Sequence, residues 1–185
     1  MKLRLQRDFY ERETVKVAQD LLGKFLCHRY RDKLYQAEIT ETEAYAGFRD
    51  KASHACRGQT ARNKIMFGPP GFSYVYLIYG MYHCLNIVTE KEGYPAAVLI
   101  RGLDYLNCDG PGKLCREFKI TKKENGLDLT GDILWVEDRG VKVKYEKLPI
   151  YLLKMIQDQQ NSIKELKAQN EELKARVGAL EGKAK

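Results

Sequence analysis

The chain has 185 residues, with 32 Lys and Arg against 25 Asp and Glu and a formal net charge of +7. With 44% hydrophobic residues, 12 Tyr, 6 Phe and 1 Trp, it has material for a real core, which excludes a wholly disordered chain and fits one domain with or without an appendage. No apolar run approaches the roughly 18 residues that cross a bilayer, and the N-terminal MKLRLQRDFYERETVK is charged where a secretory signal needs its apolar stretch, so a soluble protein with no membrane partner is expected.

In chain order, Thr14–Leu22 reads as a short amphipathic helix with Val15, Val17, Leu21 and Leu22 along one side and Gly23 as its stop. Lys24–Tyr30 and Leu34–Thr42, around Arg31-Asp32-Lys33, predict a β-hairpin. Residues 47–70 form a polar, Gly-containing loop, and such long loops are often functional. Phe72–Tyr79 and Met81–Thr89 give the strongest strand signals, with Gly80 between them. Ala96–Arg101 is a further strand, and Gly110-Pro111-Gly112 leads into a short helix over Lys113–Phe118. Asp132–Val136 and Val141–Tyr145 are short strands about a turn at Asp138-Arg139-Gly140. Short helices among antiparallel strands, rather than repeated βαβ units, predict an α+β fold: one domain over residues 1–148 with a mainly antiparallel curved sheet and flanking helices.

Beyond Pro149 the pattern changes. Ile156, Ile163, Asn170 and Val177 repeat every seven residues, as do Leu152, Gln159, Leu166, Leu173 and Leu180. Leu at d with β-branched residues and one Asn at a predicts a parallel two-stranded coiled coil, hence a homodimer through residues 152–180. Residues 149–185 are read as this helical appendage, whose bland alternative is a single amphipathic helix packed on its own domain; residues 146–185 carry +2 of the net charge. The remaining +5 permits nucleic-acid binding without establishing it.

Five scattered cysteines (Cys27, Cys56, Cys84, Cys108, Cys115) argue against a disulfide framework and for a reducing compartment, cytoplasm in a prokaryote or nucleus in a eukaryote. No CxxC pair exists, and His28, His54 and His83 do not complete a zinc set, so neither a metal nor another cofactor is expected.

Candidate chemistry gathers in the middle of the chain. Glu41 and Glu43 share one side of a strand, either as a general base with its neighbour or as an exposed strand end. Tyr74 and Tyr76 share a face, and Tyr79 sits at a hairpin tip, poorly placed for a core and well placed to enter a base stack. Arg57, Arg62 and Lys64, with Thr60 and Asn63 between them, are able to grip phosphates, and Gly110-Pro111-Gly112-Lys113 could offer backbone N–H groups to another.

Taken together, ITETEAY (39–45), His54, QTARNKIMF (59–67), YVYLIYGMYHCLN (74–86), AVLIR (97–101) and DGPGKLC (109–115) resemble the alkyladenine (3-methyladenine) DNA glycosylase family. With the N-terminal DFY and VAQDLLGKFL, the resemblance covers roughly residues 5–145. It implies a monofunctional enzyme that flips damaged purines (3-methyladenine, hypoxanthine, ethenoadenine) out of double-stranded DNA and hydrolyses the glycosidic bond. It implies Glu43 and Arg101 as the catalytic pair, and Tyr45, His54, Tyr76 and Asn86 as the base pocket. Tyr79 would be the intercalating wedge supported by Met81 and Tyr82, with Thr60, Arg62, Gly112 and Lys113 on phosphates. No lysine matches the nucleophile position, so water is the expected attacker. The family pattern continues with an Arg-Ile-Gly-Ile-like segment and a Trp-Arg-Phe strand, whereas this sequence turns to heptads after about residue 148, as a shortened domain joined to a coil would. The competing expectation is a coiled-coil-tethered DNA-binding or structural protein with little catalysis.

Overall fold

The computed structural model describes residues 3–50, 53–56, 58–140 and 170–171, with Arg49 described by its backbone alone. The chain divides into two compact units, Met1–Lys144 and Tyr145–Lys185. In the second, Asn170 and Glu171 are helical. The expected strand at Val141–Tyr145, the heptads over 152–180 and Arg57 lie outside the described residues.

Among the described residues of the first unit, seven strands are present: β1 (Leu3–Arg4), β2 (Phe25–Tyr30), β3 (Lys33–Ala46), β4 (Ser73–Ile78), β5 (Tyr82–Val88), β6 (Ala96–Leu103) and β7 (Leu134–Asp138). Their order is β1-β7-β2-β3-β6-β5-β4, and each pairing is antiparallel. With the helices α1 (Arg7–Tyr10), α2 (Thr14–Leu21) and α3 (Pro111–Glu117), this is the α+β architecture that the sequence predicts.

The strand β3 holds the sheet together. Its first half pairs with β2, Phe25 opposite Glu38, and its second half with β6, Glu43 opposite Leu99. It therefore runs through Tyr45 to Ala46, past the Thr42 limit read from the sequence. Register shifts between Ile39 and Thr42 mark a bulge at the changeover, which bends the strand.

Helix α2 corrects one expectation: it buries Thr14, Val17, Ala18 and Leu21, a clean i, i+3, i+4, i+7 stripe, and leaves Val15 44% exposed. Thr14 replaces Val15 because its N–H and hydroxyl both donate to Glu90 Oε1, at 2.9 Å each. The Thr42 hydroxyl donates to Ala18 O at 2.9 Å, tying α2 to one face of β3. Helix α3 begins at Pro111, two residues before the expected Lys113, with proline in the first turn where a missing N–H does no harm.

Helices α2 and α3 pack on β3, β5 and β6. A second cluster, Ala55, Met66, Tyr74, Val88 and Ala97, brings the loop between β3 and β4 onto the sheet. Residues 96–100 of β6 are accordingly all buried, as in a strand covered on both sides. The β4 edge is closed by the chain near residue 126: Ser73 N–H donates to Leu127 O, Gly126 N–H to Ser73 O, and Val75 N–H to Asn125 Oδ1.

Candidate active site

Antiparallel register puts the candidate residues on one face. Tyr74 stands opposite Asn86, Asn86 opposite Leu99, and Leu99 opposite Glu43, a continuous row across β4, β5, β6 and β3. Val88, Ala97 and Tyr45 form the neighbouring row, and Tyr76 lies opposite Cys84. Directly paired residues point to the same side, and alternation along each strand adds Glu41 and Arg101 to it.

On this face Tyr45, His54, Met66, Tyr74, Tyr76 and Asn86 line a cavity of about 240 Å³, counted with its open mouth. All four pocket residues expected from the resemblance are thus brought together. Met66 and Tyr74 complete the lining. Alternation with Tyr76 points to Tyr74, and Met66 lies within the QTARNKIMF string without being singled out by it. Tyr76 meets His54 edge to face with ring centroids 4.5 Å apart, and the Tyr74 and Tyr76 rings lie 5.4 Å apart. The Tyr74 hydroxyl is 3.3 Å from His54 Nδ1.

Asn86 is only 2% exposed, and its Nδ2 donates to Tyr74 O at 3.2 Å and to Cys84 O at 3.4 Å, fixing the amide plane. A further buried amide supports the pocket from behind. Asn63 Nδ2 donates to His54 O and Gly58 O, while its Oδ1 accepts from Thr60 N–H at 2.6 Å. Asn63 therefore organises the loop that presents His54, a role the sequence reading left among the phosphate-gripping residues.

Beside the pocket, Arg101 Nη1 donates to Glu43 Oε2 at 2.5 Å and Arg101 Nε to Glu41 Oε1 at 2.9 Å. Tyr45 also hydrogen-bonds Glu43; burial first, then the Glu43 charge and this bond, drive its hydroxyl well above the ordinary tyrosine value. It is a phenol, and a donor, at neutral pH. Burial, with the nearby Arg62 charge, pushes His54 below the ordinary histidine value, so its ring is neutral at pH 7. Tyr76 is raised by burial and by its bonded neighbour Cys84.

The tip between β4 and β5 stands out from the sheet. Tyr79 is 83% exposed, Met81 65% and Tyr82 46%. Tyr79 lies in the turn, outside the strand expected to include it, with φ of 52°, and Gly80 follows at 72°. Positive φ at both central residues suits a primed hairpin turn, an uncommon state for an aromatic residue.

The expected phosphate contacts stand apart from one another in kind. Arg62 donates to Leu77 O at 2.6 Å and lies 5.5 Å from the Tyr76 ring, bracing the hairpin. Thr60 accepts Asn63 N–H in the same loop. Lys113 pairs with Asp109 at 2.9 Å on the exposed first turn of α3. Gly112 packs directly under Tyr82, where an added Cβ would come within 2.9 Å of the ring.

An aromatic slot with a carboxylate–guanidinium pair beside it has the shape to take a planar ring and the groups to activate a water, and an exposed aromatic tip ends the β4–β5 hairpin. Residues 8–151 match the model of the methylpurine-DNA glycosylase family. A protein of Sodalis glossinidius, provisionally named a 3-methyladenine DNA glycosylase, is 60% identical over 131 residues, covering 68% of this chain and 75% of its own. Counterparts given the same provisional name are 46% identical over 164 residues in Alkaliphilus oremlandii, covering 75% and 81% of the two chains, and 51% identical over 160 residues in Methanocella arvoryzae, covering 76% and 79%. The chain belongs to the methylpurine-DNA glycosylase family. It is a DNA glycosylase of DNA repair, with DNA as its substrate.

Proposed function

We propose that the protein takes a damaged purine out of duplex DNA into the Tyr45–His54–Tyr76 slot and hydrolyses its glycosidic bond, leaving an abasic site. The observation that carries this reading is the single sheet face on which the slot adjoins the Glu43–Arg101 pair. A base within the duplex is out of reach of any such pocket, so it must be flipped, at about a few kcal/mol. The exposed Tyr79, braced by Met81 and Tyr82, fills the vacated place in the stack.

The slot favours alkylated purines. Tyr45 and Tyr76 offer ring faces to an electron-poor, often cationic base, and the neutral His54 adds no opposing charge. The immobile Asn86 amide at the floor meets the exocyclic amino group of guanine, which selects against that undamaged base. Glu43 accepts a proton from the attacking water while Tyr45 and Arg101 hold the carboxylate. As the base leaves, the sugar becomes oxocarbenium-like, and the Glu43 carboxylate stabilises the developing positive charge. No lysine is required, so the reaction stops at the abasic site. Thr60, Arg62, Gly112 and Lys113 approach the backbone phosphates on either side of the flipped nucleotide. The heptads over 152–180 join two chains.

Chromatography of bases released from methylated DNA and from duplexes holding hypoxanthine or ethenoadenine tests the substrate range. Release of 3-methyladenine and of at least one neutral lesion, with no guanine from undamaged DNA, is expected. Release of undamaged guanine at a comparable rate would overturn the role given to Asn86.

A further inference from the structure

Glu41 has no part in the reaction as described, yet it shares Arg101 with Glu43. It bonds Arg101 Nε while Glu43 bonds Arg101 Nη1. A guanidinium left alone with one carboxylate closes on both of its oxygens as a fork, forming a neutral pair. Here the donors are divided between two carboxylates, so Arg101 bonds Glu43 through Oε2 alone. The three groups together carry a charge of −1 rather than zero.

The backbone makes room for this division. The β3 bulge falls at Glu41, and the residue registered opposite is Gly102. A Cβ at Gly102 would stand 3.2 Å from the Glu41 Cβ and 3.0 Å from Thr40 Oγ1, tighter than ordinary packing. The side chains of Glu41, Arg101 and Glu43 are 29%, 39% and 38% exposed, so their charges are partly shielded from solvent.

We propose that Glu41 is a positioning residue for base release: it holds Arg101 by Nε and keeps the guanidinium from closing on both oxygens of Glu43, so that the carboxylate stays oriented for the attacking water. The inference rests on Glu43 acting on the water. The titratable and charged groups that act on Glu43, Arg101 and Tyr45 among the described residues include Glu41 on β3, Cys84 on β5, which faces Arg101, and Asp50 in the loop after β3, which acts on Tyr45.

The test compares the full-length protein with Glu41→Gln and Glu43→Gln, measuring single-turnover release of 3-methyladenine from methylated duplex DNA, and DNA affinity separately. Gln keeps the shape, but its neutral amide oxygen is too weak an acceptor to hold the guanidinium away from Glu43. Glu41→Gln is expected to lower the rate constant about tenfold or more with DNA affinity within about twofold. Glu43→Gln should release nothing. A Glu41→Gln protein with the wild-type rate, beside an inactive Glu43→Gln, would overturn the role of Glu41 and leave that of Glu43 standing. Full activity in Glu43→Gln would overturn both. If Glu41→Gln does not fold, Glu41→Ala takes its place: the same loss of rate is expected, and a wild-type rate overturns the proposal.

Discussion

At the residue scale the site depends on protonation states set by burial. His54 is held below its ordinary value, first by desolvation and then by Arg62, so at pH 7 its ring is neutral and its Nδ1 can accept from the Tyr74 hydroxyl. Falling pH charges the ring, which then repels a cationic base and barely affects a neutral one. Half-saturation concentrations in single-turnover release should therefore rise between pH 7 and pH 5 for DNA containing the cationic 3-methyladenine, and change less for hypoxanthine. In His54→Gln the two substrates should follow pH in parallel. Glu43, Tyr45 and Arg101 were legible in the sequence because the strings around them are specific to a family. Asn63 and Met66 lie in a string just as specific, QTARNKIMF, yet their roles were not legible, since letters alone do not show that an amide bonds carbonyls of its own loop or that a methionine closes a pocket wall.

At the scale of the elements, the β4–β5 hairpin separates stability from function. Tyr79 is 83% exposed at the end of a turn, so Tyr79→Ala should change folding stability by no more than about 0.5 kcal/mol in urea titrations. Base release from duplex DNA should nevertheless fall about tenfold or more, because the flipped state loses the group that fills the stack. Release from single-stranded DNA, with no vacancy to fill, should fall less. Gly71 behaves in the opposite way. Its φ is +76°, and a Cβ there would lie 2.8 Å from the fully buried Tyr10 ring. Gly71→Ala should destabilise by about 2 kcal/mol in the same titration, with lesion preference unchanged. Strand identities were readable from apolar runs and Gly positions. The true end of β4 was not, because sequence pattern gives no sign that Tyr79 adopts a left-handed backbone.

At the scale of the whole molecule, what matters is that the four strands β3 to β6 present one face. Alternation predicts which residues of a strand share a side, and it correctly pairs Glu41 with Glu43 and Tyr74 with Tyr76. It does not predict which strands are neighbours or in what register, so the row Tyr74–Asn86–Leu99–Glu43 emerges only from the folded sheet. The same face explains how a hydrolytic group can sit next to a pocket whose residues span the chain from Tyr45 to Asn86. The heptads add a prediction at this scale. Sedimentation at micromolar concentration should give a mass near twice 21.4 kDa, and a mass of 21.4 kDa throughout would refute the dimer.

The central claim is that Glu43 on this face drives hydrolytic removal of a damaged purine. The most direct measurement is single-turnover reaction of excess protein with a duplex holding one ethenoadenine, with and without alkali. The account predicts strands that stay whole until alkali cuts them at the new abasic site, and a Glu43→Gln protein that binds the same duplex and leaves the base attached. Equal yields of abasic sites from both proteins would contradict it.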